Sequence, residues 1–248
     1  MILLDLALII VIVVSVLLGA YRGFVVSALK TASFFVSWIL AYLLHPLLSW
    51  AMSGQGMMQT LINYTEGAAK LPYDTPLAMI TTPITQVDAA TLNDLVNNSR
   101  LVSPFGNLVK SNIASQAFAS QGLTTVGDYF NYTVAYATLN IITFLILFFV
   151  FRIICGVIIN ATDATHKFPV LRHNDVLAGS LTGLLRGVFA CYIVMALAPV
   201  ALSIMALAPV ALSILNVPVV TDYVLSAPLA GFFYKSNFIL LLMRGKVF

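Results

Sequence analysis

An all-α integral membrane protein is the fold class this sequence predicts, and three observations predict it. Of 248 residues, 60% are hydrophobic and 8% charged, against about 25% charged in a soluble domain. Polar side chains are therefore too few to cover a water-exposed surface. Mean hydropathy is +1.00, and the apolar residues gather into runs of the roughly 20 residues that a membrane-crossing helix needs.

Four such runs follow one another: Leu3 to Ala20, Thr31 to Trp50, Val134 to Ile159, and one beginning at Val176. The start, "MILLDLALII", carries Asp5 and no Lys or Arg before Arg22, unlike the basic start of an export signal. It reads as an uncleaved membrane helix. Residues 1–50 are expected to form a first transmembrane hairpin, its short turn holding Arg22 and Lys30, and residues 134–215 a second. The loop "NATDATHKFPVLRHND" in the second hairpin holds Lys167 and Arg172. Between the hairpins, 51–133 is rich in Thr, Ser, Asn, Gln and Gly, with Pro72, Pro76, Pro83 and Pro104. Stretches such as "LNDLVNNSRLV" suggest small amphipathic helices and no strand alternation is sustained, so a partly helical extramembrane insert is expected. Its Asn-x-Ser/Thr triplets at Asn63, Asn97 and Asn131 are given no functional weight. Residues 216–248 read as an amphipathic or interfacial tail.

The fourth run contains a perfect tandem repeat, "MALAPVALSI", at 195–204 and 205–214. Val176 to Val220 is too long for one ordinary span, and Pro199 and Pro209 would kink or end a helix there. One kinked span followed by interfacial helix is preferred, giving four spans; a hinge at Pro199 would give five.

Lys and Arg in short loops mark the cytoplasmic side. Both short loops carry two, so the termini and the insert are expected outside. Trp50, Tyr129, Tyr132 and Tyr136 are placed as interface aromatics at the ends of the insert.

Net charge is +3 without a Lys/Arg cluster, which gives no support for a nucleic-acid partner. Cys155 and Cys191 lie in apolar runs without metal-like spacing and read as small core residues. His166 and His173, with Asp163 and Asp175, share a loop but lack a ligand spacing; His45 reads as interfacial. No nucleophile elbow, phosphate loop or carboxylate pair is present. No enzyme activity, metal or cofactor is expected.

Gly179, Gly183 and Gly187 recur every fourth residue, a face on which helix backbones can approach closely in lipid. Gly23, Ser27 and Thr31 form one answering line on the second run, and Ser33, Ser37 and Ala41 another. Helix packing within the chain is the first reading of this face, with homo-oligomer contact left open. Asn174 or Asp175 can cap the helix that carries it.

Two stretches resemble a known family. "LLGAYRGFVVSALKTASFFVSWILAYLL" is similar to the first helical hairpin of the colicin V production protein family, and "NDVLAGSLTGLLRGVFACYIVMAL" to its last span. The insert and the repeat depart from the pattern. The resemblance implies a bacterial inner-membrane protein linked to toxin production and envelope maintenance, with no defined reaction.

Arg152 lies eight residues before Asn160, about 12 Å inside its helix end, and Arg186 ten residues after Val176, about 15 Å in. A charge so deep costs about 2.5–3.5 kcal/mol and should face the bundle interior. Helix geometry lets Arg186 reach back to the cytoplasmic end and points Arg152 away from it. Arg22, Arg152 and Arg186 are expected to form a cytoplasm-facing pocket for an anion, most simply an anionic lipid headgroup, with Lys30 on a solvated loop. The expected function is that of an accessory or scaffold protein with an unidentified membrane partner; the alternative is a transporter or channel subunit with an arginine-lined anion path.

Overall fold

A computed structural model describes residues 2–101, 104–161, 175–205, 225–243 and 245–246. The loop residues Asp163, His166, Lys167, Arg172, His173 and Asn174, and most of the second repeat copy, lie outside the described residues. The described chain is helical, with one isolated bridge, Pro83 to Thr125. Among the described residues three helical stretches are long and apolar enough to cross a membrane, where the sequence predicts four separate runs. The first stretch, α1 (Ile2–Met52), is two helices joined directly, with no loop between them, at Gly23, whose φ of 74° and ψ of 173° are not helical. That backbone region is essentially restricted to glycine.

The insert supplies α2 (Gln55–Thr65), α3 (Leu77–Thr81), α4 (Ala89–Asn97) and α5 (Phe105–Ala114). Then follow α6 (Val126–Ala161), α7 (Asp175–Ala196), α8 (Ala198–Met205), α9 (Pro228–Lys235) and α10 (Phe238–Leu242). Pro199 stands in the first turn of α8, where its missing N–H costs little; only Leu197 separates α7 from α8, and the apolar span runs through both, Asp175–Ala201.

The chain divides into two compact units. The first comprises Met1–His45, Thr143–Ala196 and Asp222–Ile239. Its centre is the glycine face of α7. A Cβ at Gly183 would press on the Ser15 carbonyl oxygen and stand 3.1 Å from Val16 Cα and 3.2 Å from Gly19 Cα. A Cβ at Gly187 would stand 3.2 Å from Ile12 Cα. Residues 12–23 thus run antiparallel to α7 with the two backbones in contact. Beyond Gly23, Ser27 Oγ donates to Gly179 O at 3.3 Å and Thr31 Oγ1 to Thr182 O at 3.3 Å. Phe35 meets Phe189 edge-on at 4.6 Å, so this limb runs parallel to α7. The two limbs of α1 are therefore an antiparallel hairpin turned within one residue. Helix α6 joins the second limb through Phe34 and Phe148, 5.1 Å apart.

The C-terminal helices belong to this packing. Tyr192 takes Phe233 at 5.0 Å and Phe238 at 5.2 Å, and Asn237 Nδ2 donates to Tyr192 O at 2.9 Å. Ala230, Phe233 and Tyr234 are buried. Asp5 reaches α9 directly: its Oδ1 accepts the Ala230 N–H at 2.9 Å, filling one of the donors a helix start leaves open.

The second unit comprises Pro46–Ile142, Leu197–Thr221 and Leu240–Phe248. Its core gathers Met58, Leu61, Val109, Phe118, Val126, Tyr129, Phe130 and Tyr136. Tyr129 and Tyr136, expected at a membrane interface, are buried here instead, to 0% and 8% exposure. The reason is local. Tyr129 Oη accepts the Phe118 N–H at 3.2 Å, and Phe118 stacks on Tyr136 at 5.6 Å, so both rings serve as core. Thr125 and Asp128 cap α6 reciprocally at 2.7 and 3.2 Å, and Asn131 Oδ1 accepts the Ala68 N–H at 2.8 Å. Lys70 is buried, and burial, with the Arg100 charge second, pushes its pKa down to about 8.

Candidate functional site: a basic cleft beside the helix break

Among the described residues no group of His, Cys, Asp or Glu is arranged to hold a metal ion. Asp175, expected to cap its own helix, spans to another one: Oδ1 accepts the Phe24 N–H at 2.7 Å. Phe24 is the first residue of the resumed helix, so its N–H has no partner within the turn before it. The carboxylate satisfies that donor and sits at the positive end of the limb's dipole. It also lies against Gly23, where a Cβ would collide with it. His45 is buried, its Nδ1 2.7 Å from Tyr42 O.

The half-buried arginines Arg152 and Arg186 are each held by a serine. Arg186 Nε donates to Ser15 Oγ at 3.3 Å and Nη2 to Ser15 O at 3.4 Å, while Ser15 Oγ donates to Gly183 O at 2.8 Å. Arg152 Nη1 donates to Ser33 Oγ at 2.7 Å, and Ser33 Oγ donates to Lys30 O at 2.9 Å. Each hydroxyl thus accepts from a guanidinium and donates to backbone, using its proton and one of its two lone pairs. Each arrangement fixes where the charge points.

Arg152 is fixed beside Lys30. Together with Arg22, Gly156, Ile159 and Asn160 they line a cleft of about 290 Å³. Of the expected pocket residues the cleft unites Arg22 and Arg152; Arg186 is not among its lining. Lys30, expected on a solvated loop, takes the third place, because α1 resumes at Phe24 and the lysine faces α6 from a helix. Arg152, expected to point away from this end, opens into the same cleft as Asn160. Gly156, one turn on, leaves the way clear: a Cβ there would meet nothing within 4 Å.

Among the described residues the lining holds three cations and no acid, and Lys30 lies within electrostatic reach of Arg22, Arg186 and Arg152. Neither the Arg22 nor the Lys30 side chain makes a hydrogen bond or ion pair with another described residue. Two planar forks, one point charge and an amide converge on one space, a donor set suited to an oxyanion. The serines Ser15 and Ser33 are the functional residues that the sequence reading missed as arginine partners; the only signal was a lone hydroxyl in an aliphatic run opposite a buried charge.

A second cavity, of about 690 Å³, lies in the insert unit between Ser53, Gln59, Gln121, Leu123, Tyr132 and Tyr136. These lining groups are uncharged.

In comparison with known proteins, residues 4–101 match the family model described as Colicin V production protein. The match takes in 51–101 of the insert, which the residue resemblance had set apart, and ends before α6 and α7. No curated protein and no solved structure matches the chain.

Proposed function

We propose, from the match of residues 4–101 to the colicin V production protein family model, that this chain is a bacterial inner-membrane accessory protein of toxin production and envelope maintenance, not an enzyme. The family match is the observation that carries this reading. The break at Gly23 supports a count of four spans: it divides α1 into limbs 2–22 and 24–52, each long enough to cross a core of about 30 Å at 1.5 Å per residue. Gly23 and the basic cleft then face the cytoplasm, and the insert lies outside.

The functional reading is tested in a strain that exports a colicin V-type toxin. Deletion should reduce toxin in the medium and sensitise the envelope to detergent, and the plasmid-borne chain should restore both. Undiminished export and normal detergent resistance in the deletion strain would sink the reading.

The orientation has its own test, in a background with Cys155 and Cys191 replaced by alanine. Thr85→Cys, exposed in the insert, should react with an impermeant thiol reagent on intact cells. Ala161→Cys, exposed at the end of α6, should react only after the membrane is opened. The reverse pattern would invert the topology.

A further inference from the structure

We propose that the cleft between the second limb of α1 and the end of α6 binds a phosphate group, carried by an anionic lipid headgroup or by a free phosphate ester. The inference rests on the membrane-spanning reading above but not on the role in toxin production.

Three features of the cleft converge on phosphate. The first is charge. Among the described residues Arg22, Lys30 and Arg152 share one lining without an acid, and like charges gathered beside low-dielectric walls repel unless an anion enters between them. Asp175, the one described carboxylate at this turn, accepts the Phe24 N–H.

The second is geometry. Arg152 is held in place through Ser33, whereas the side chains of Arg22 and Lys30 have no hydrogen-bond partner among the described residues. Guanidinium pairs grip the oxygens of a phosphate two at a time, a geometry that a halide cannot exploit.

The third is depth. Asn160 and the exposed Arg22 stand at the end of the cleft where α6 finishes, and Arg152 lies eight residues, about 12 Å, further in. Ile159 and the bare backbone of Gly156 form the apolar part of the wall. The wall thus runs from Asn160 and Arg22 past Ile159 and Gly156 to the Arg152 guanidinium, so a phosphate entering from the end of α6 meets cations at the rim and at depth.

The test uses the full chain in a neutral detergent, with short-chain phosphatidylglycerol, phosphatidylcholine of the same chain length, and inorganic phosphate as probes. Native mass spectrometry reads bound lipid, and a thermal melt checks the fold of each variant. The parent should hold phosphatidylglycerol about tenfold more tightly than phosphatidylcholine, since the diester phosphate of the latter carries its own cation. Arg22→Gln with Lys30→Gln should weaken phosphatidylglycerol about tenfold or more without moving the melt, because neither side chain holds the fold. Gly156→Leu should produce the same loss by filling the space while leaving every charge in place. Arg186→Gln, outside the lining, should change binding by no more than about threefold.

Displacement of lipid by inorganic phosphate at equal concentration identifies the free anion as sufficient; no displacement identifies the lipid headgroup as the ligand. Either outcome upholds a phosphate site. Equal retention of phosphatidylglycerol by the parent, the double Gln variant and Gly156→Leu overturns it. Normal lipid binding in a chain that fails to restore toxin export leaves the cleft standing and removes only the functional reading.

Discussion

Gly183→Ala should lower the melting temperature of the detergent-solubilised protein, although alanine is the better helix former. Alanine gains about 1 kcal/mol of helix propensity over glycine. Against this stands the contact: the added methyl would press on the Ser15 carbonyl oxygen with two Cα atoms at 3.1 and 3.2 Å. These are backbone atoms of a packed helix and cannot swing away as the end of a side chain can. Overpacking of this kind costs about 1–3 kcal/mol, so the loss outweighs the gain. Gly183→Leu should be worse. Gly156→Ala supplies the control with the opposite sign, because its methyl meets nothing within 4 Å and only the propensity changes. Melting of Gly183→Ala at or above the parent temperature, with Gly156→Ala indistinguishable from it, would show that the first limb of α1 does not rest on this face.

The second large effect is expected at the break itself. Gly23→Ala combines two penalties: a backbone conformation with φ 74° and ψ 173°, costing about 1–3 kcal/mol for a residue with a Cβ, and a collision with the Asp175 carboxylate. Asp175→Ala removes one charge-assisted hydrogen bond and a helix cap, worth about 0.5–2 kcal/mol. A double-mutant cycle separates the two terms at Gly23. With Asp175 already shortened to alanine the collision is relieved and only the backbone strain remains, so the double variant should be more stable than the sum of the singles predicts. Strict additivity would mean that the carboxylate does not lie against Gly23 and that the hairpin turns by some other means.

What could be read from the sequence, and what could not, follows from how each feature is encoded. The α7 face is periodic: glycines at 179, 183 and 187 repeat on one side of a helix, and that pattern needs no knowledge of the partner. The partner, Ser15 to Gly19, is a single short interruption in an aliphatic run and has no period of its own. Arg22 and Lys30 were read as a loop because basic residues between apolar runs usually are one. The chain instead turns within one glycine, and a one-residue turn leaves no polar stretch to see. That single difference moved Lys30 from solvent into the cleft. In the insert, Tyr129 and Tyr136 were misplaced because an aromatic near a span fits an interface and a small core equally well; the Phe118 contacts that decide between them are not local in sequence. Asp5 and Asp175 were visible as acids near helix starts, but each caps a helix far along the chain.

The hydrogen bond from Ala230 to Asp5 spans 225 residues, and that separation is also an interval of time. A ribosome adds about 5–20 residues each second, so Asp5 is made roughly 11–45 s before its donor exists. Throughout that interval the first helix carries an acid with no partner, and its groove at Ser15 and Gly19 stays open until α7 emerges. A chain stopped between α7 and residue 230 closes the groove but leaves Asp5 without that donor. The packing around Asp5 is therefore finished by a segment made long after the helix that carries it.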